Sequence, residues 1–165
     1  DRYEDPLAYW LEDRFPGSRV TGGGTLRSRE GEPLVCGIDA EVVGDPDAVE
    51  DAVVEYLEAL GAPRGSTVAL TGRAPRELGT IEGVGVYLAR HGLPEEVYAT
   101  HDVNEFLDAL NDAVDGFGVL QAFWEGQEWT AVYVYGPSAL ALTEIVAPLL
   151  ADHPLAQGSR LERIA

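Results

Sequence analysis

The chain has 165 residues, and its 29 Asp and Glu against 11 cations give a formal charge of −18; every cation is arginine. That field excludes a duplex- or RNA-binding protein, which needs a basic footprint to release counterions from phosphate. It equally excludes docking on anionic lipid through a polybasic patch. No run approaches the roughly 18–20 apolar residues that span a bilayer, and the start carries no signal-peptide pattern. At 45% apolar residues the composition is globular, with length for one domain or two small ones.

Asp5 to Phe15 reads as a helix, with Asp5 at the cap, Pro6 at the first helical position, and Leu7, Trp10 and Leu11 in one apolar stripe. Arg19 to Leu26 and Leu34 to Val43 read as a strand pair. The second strand alternates, with Leu34, Cys36, Ile38, Ala40 and Val42 on one face and Asp39 and Glu41 on the other. Cys36, the sole cysteine, therefore reads as a small core residue, and its isolation suits a reducing cytoplasm. Asp45-Pro46 opens a second helix that runs to Leu60 and stops at Gly61, and Thr67 to Leu70 reads as a short strand. The Gly- and Arg-rich stretch that follows reads as a link. It divides the chain into 1–72, a linker 73–82, and 83–165.

Gly83 to Ala89 reads as a strand, and Asp102 to Val114 as a helix with Glu105 at capping-box spacing from Asp102. Phe117 to Trp124 and Trp129 to Tyr135 form a hairpin, Ser138 to Leu150 a helix, and Arg160 to Ile164 a last strand. This β-α-β-β-α-β order is that of the ferredoxin-like split βαβ fold. The first part replays it from its helix onward, which predicts an α+β protein of two tandem ferredoxin-like units. In the first unit the opening strand is missing: either it precedes Asp1 or that copy is rearranged.

Two surfaces carry information. Positions 91 to 159 hold eleven acids and no Lys or Arg. Glu105, Asp108, Asp112 and Asp115 fall on one helical stripe, opposite Phe106, Leu107, Leu110 and Val114. In the first copy Asp47, Asp51, Glu55 and Glu58 form a like stripe. Like charges at these spacings cost a helix a few tenths of a kcal/mol per pair, so something else favours them. A dispersed state in high salt is one reason, and a docking face for a basic partner is the other. The second surface is aromatic: Trp124, Trp129, Tyr133 and Tyr135 lie on a hairpin both of whose faces are largely apolar. Helices cover one face of a two-layer sheet, so the other is expected to meet the second copy, a second chain, or a peptide, sugar or hydrophobic ligand.

Signatures of catalysis are lacking. Gly83-Val84-Gly85 has no third glycine, Gly22-Gly23-Gly24-Thr25 is not followed by Gly-Lys, and Ser138 has no Gly-x-Ser-x-Gly elbow. His91, His101 and His153 share no metal-ligand spacing, so no metal, cofactor or catalytic residue is assigned. The expectation is a cytoplasmic, non-enzymatic acidic module that occupies a basic protein surface, as immunity proteins and other acidic inhibitors do. The competing readings are a pseudo-dimeric α/β barrel, carrier or enzyme, using the aromatic face with His101, and a scaffold that homodimerises through that face.

Overall fold

The computed structural model describes residues 2–165. They form an α+β protein with five α-helices and small antiparallel sheets, divided into two compact units, Asp1–Thr80 and Ile81–Ala165.

The first unit opens with helix α1 (Glu4–Arg14). Asp5 does not cap it; the N-cap is Tyr3 and Asp5 lies in the first turn, where a carboxylate still suits the positive helix end. Strands β1 (Arg19–Arg27) and β2 (Pro33–Glu41) form an antiparallel hairpin. Its loop is tied by the Ser28 hydroxyl, which accepts from the amides of Glu30 and Glu32. Helix α2 (Pro46–Ala59) is capped as expected, the Asp45 carboxylate accepting the Ala48 amide at 3.1 Å. The helices meet where Trp10 stacks on Tyr56, ring centroids 4.3 Å apart, and the Tyr56 hydroxyl donates to the Pro6 carbonyl.

Strand β3 (Ser66–Val68) pairs with β4 (Arg76–Leu78), so the stretch expected to be a linker is folded. Val54, Ala62 and Leu78 bury a small core there. The sheet architecture of this unit departs from a ferredoxin-like copy. It consists of two separate two-stranded sheets, β1-β2 and β3-β4, among the described residues. Most of β2 is open to solvent: Leu34 and Val35 are 58% and 60% exposed, and Cys36 is exposed rather than in the core. The apolar residues that alternate along β2 are thus largely left exposed, with Ile38 half-buried.

The second unit runs β5 (Glu82–Ala89), α3 (Glu95–Thr100), α4 (Val103–Val114), β6 (Val119–Glu125), β7 (Trp129–Gly136), α5 (Ala139–Asp152), a 3-10 turn at Pro154–Ala156, and β8 (Arg160–Arg163). Its sheet has the order β6-β7-β5-β8, with every neighbouring pair antiparallel. The first strand is thus central, and both β7 and β8 pair with it. On one face Val84, Val86, Leu88, Val132 and Val134 pack against Phe106, Leu110 and Val114 of α4 and Leu142 and Val146 of α5. Caps match expectation: Asp102 accepts the Asn104 amide and Ser138 the Ala141 amide. Helix α3 had no counterpart in the sequence reading.

Candidate functional site

The two acidic stripes, alike in sequence, have different surroundings. On α4, Glu105, Asp108 and Asp112 are exposed, with Asp115 at the C-cap, also exposed. Among the described residues none of the four enters an ion pair. The opposite side of the helix is fully buried at Phe106, Leu110 and Val114, which fixes its rotation and turns the acids to solvent.

On α2 the stripe is largely answered from within. Arg73 pairs with Asp47 and lies 3.6 Å from Glu50, and Arg76, the first residue of β4, pairs with Asp51. The hydrogen bonds that the two guanidinium groups donate to Asp47 and Asp51 hold both their pKa values above the ordinary value. Glu58 accepts the Gly79 amide at 3.3 Å, and Glu55 remains exposed. The sequence grouped Asp47, Asp51, Glu55 and Glu58 with the α4 acids, but three of them serve internal contacts.

The aromatic face is filled by its own side chains. Tyr87, Trp124 and Tyr133 are buried, with Trp129 and Tyr135 packed against them. The rings lie flat because glycine leaves room beneath them. A Cβ on Gly85 would stand 2.7 Å from the Tyr87 ring, one on Gly83 2.6 Å from Tyr135, and one on Gly126 2.3 Å from Trp124. The Arg160 guanidinium closes this surface, 4.3 Å from the Tyr87 centroid and 4.8 Å from that of Trp129.

One titratable pair was not anticipated. His101, the C-cap of α3, and His153, the C-cap of α5, meet edge to face at 5.8 Å, and His153 also packs on Phe106 at 5.0 Å. His153 Nδ1 accepts the Leu155 amide, so the neutral ring carries its proton on Nε2. Burial, followed by repulsion from His101, lowers the His153 pKa against the opposing pull of Glu105. An open depression of about 570 Å³ beside it is lined by Tyr98, Thr100, His101, Asp102 and Glu105, among others. No group of three or more His, Cys, Asp or Glu among the described residues is placed to hold a metal ion. Nor is any described helix long and apolar enough to cross a membrane. No protein-family model matches the chain, and no curated protein or solved structure matches it either.

Proposed function

We propose that this protein is a cytoplasmic, non-enzymatic acidic module that docks through the α4 face onto a basic surface of another protein, in the manner of an immunity or inhibitor protein. One observation carries this reading: Glu105, Asp108, Asp112 and Asp115 are exposed on α4 with no ion pair among the described residues, whereas Asp47 and Asp51 of α2 are neutralised by Arg73 and Arg76. If acidity served dispersal alone, the two helices would have no reason to differ. The packing of the aromatic face against itself also favours docking through α4 over a carrier that uses that face. The two units are read as tandem counterparts of one ferredoxin-like plan, supported by the shared helix, hairpin, helix, strand order. In the first, the described residues hold no equivalent of the central strand that β5 supplies to the second.

A charge-rich interface of this kind speeds association and weakens with salt. The test is binding of basic nuclease-type domains across a salt series, by wild type and by the triple reversal Glu105→Arg, Asp108→Arg, Asp112→Arg. The reading expects steeply salt-dependent binding that the reversal abolishes. Salt-insensitive binding, or binding the reversal leaves intact, would sink it.

A further inference from the structure

The two edges of the second unit's sheet are protected very differently. Strand β8 is short, and its sequence Arg-Leu-Glu-Arg is three-quarters charged. Arg160 pairs there with Glu162, and Arg163 pairs with Glu82. Such an edge discourages a further strand. Strand β6, at the other edge, has seven residues, Val-Leu-Gln-Ala-Phe-Trp-Glu, with no proline or cation and a single charge at its end. Phe123 is 70% exposed and Val119 40% exposed. A bulge between Leu120 and Ala122 is the one device that disturbs the edge.

The ladder tells which backbone groups face out. The Gly126 amide donates to the Trp129 carbonyl at 2.8 Å, so that pair is hydrogen-bonded. Alternation along an antiparallel ladder then directs the Trp124 groups inward and those of Phe123 and Glu125 outward. The Phe123 side chain stands opposite Val132 and so on the α4 side of the sheet. Residues 115–118 join helix α4 to β6 and the two elements touch; α4 carries the acids that enter no ion pair among the described residues.

We infer that β6 accepts an extended basic segment of the partner protein as a fifth strand, hydrogen-bonded to Phe123 and Glu125, with its arginine or lysine side chains lying across Phe123 toward the acids of α4. This rests on the basic partner proposed above and specifies how it is held. Charge complementarity selects the occupant. Glu125 ends this strand, the exposed α4 carboxylates belong to the helix that precedes it, and no Lys or Arg lies between positions 91 and 159. Main-chain bonds would supply affinity, and alternate side chains the selection for a basic segment. Arginine over Phe123 combines apolar contact of its stem with attraction to the ring face.

The probes are two peptides of equal charge, one alternating arginine with valine and one alternating arginine with proline, the second unable to form a strand. At low ionic strength the arginine–valine peptide is expected to bind, to shift the Phe123 and Glu125 amide resonances, and to slow their hydrogen exchange. The arginine–proline peptide is expected to bind at least tenfold more weakly. Phe123→Pro removes an outward amide without removing a ladder bond, and at least a tenfold loss for the first peptide is expected; the exchange readout on wild type needs no variant. Equal binding of both peptides, with Phe123→Pro unaffected and the triple α4 reversal deleterious, overturns the strand mode and leaves the docking reading standing. No binding of either peptide, or binding that ignores the α4 reversal, overturns both. If wild type self-associates and Phe123→Pro is monomeric, the occupant is a second copy and the proposal fails.

Discussion

Gly79→Ala tests whether the segment after α2 is a folded part of the first unit. Gly79 has φ +107°, and a Cβ there would stand 1.9 Å from the Pro63 carbonyl oxygen, 2.4 Å from its carbon and 2.8 Å from the Arg64 nitrogen. All three are backbone atoms, so no side chain can rotate away. The comparison variant is Gly72→Ala, at φ +81° with nothing within 4 Å of the new Cβ. Positive φ alone costs a non-glycine residue about 1–2 kcal/mol, which is the loss expected for Gly72→Ala. Backbone displacement at Gly79 adds an overpacking cost of about 1–3 kcal/mol, for a total of about 2–5 kcal/mol. The displacement falls where the Thr80 amide bonds the Ala62 carbonyl and the Gly79 amide bonds Glu58. Native-state hydrogen exchange of the Ala62 and Thr80 amides reads the first unit by itself, which avoids assuming that both units unfold as one. Equal losses for the two variants, within about 0.5 kcal/mol, would refute the close approach and return residues 73–82 to a linker.

Stability should respond to pH through His153, whose folded-state pKa is depressed below 6.5 chiefly by burial. The unfolded chain then takes the proton first, so this contribution is fully present above about pH 6.5 and is lost as pH falls from there through the folded-state value. His153→Asn keeps an acceptor for the Leu155 amide and should flatten that dependence, measured as denaturation midpoint against pH; an unchanged slope would rule the imidazole out. Phe106→Ala, at a fully buried site on α4, should cost about 3–5 kcal/mol in chemical denaturation, and a loss below about 1 kcal/mol would contradict the packing of α4 on the sheet. Cys36 is exposed and should react with a thiol reagent in the native protein about as fast as in denaturant; strong native protection would place it back in a core.

What the sequence determined by itself is local and periodic. Helices α2, α4 and α5 were legible because the caps Asp45, Asp102 and Ser138 precede clear apolar periods, and a cap bond spans two or three residues. The β6–β7 hairpin and β5, whose residues Gly83 to Leu88 are buried, were legible as apolar strand runs; the central place of β5 came from the pairing. Helix α3 escaped because among its six residues only Val97 packs against the core, and half-buried, which leaves no apolar period to detect. The acidic stripes were readable as charge but not as state. Whether a carboxylate is free depends on an arginine 25 or 26 residues away, as Arg76 is from Asp51 and Arg73 from Asp47. The same distance dependence misled the reading of β2. Alternation says which side chains share a face, but whether another layer covers that face is settled by pairing across the chain, and Cys36 and Leu34 remain in water. The charge of −18 was fixed by composition. Its separation into an α2 whose Asp47 and Asp51 are paired from within and an open α4 was decided by the tertiary structure, because ion pairing acts between places that only folding brings together.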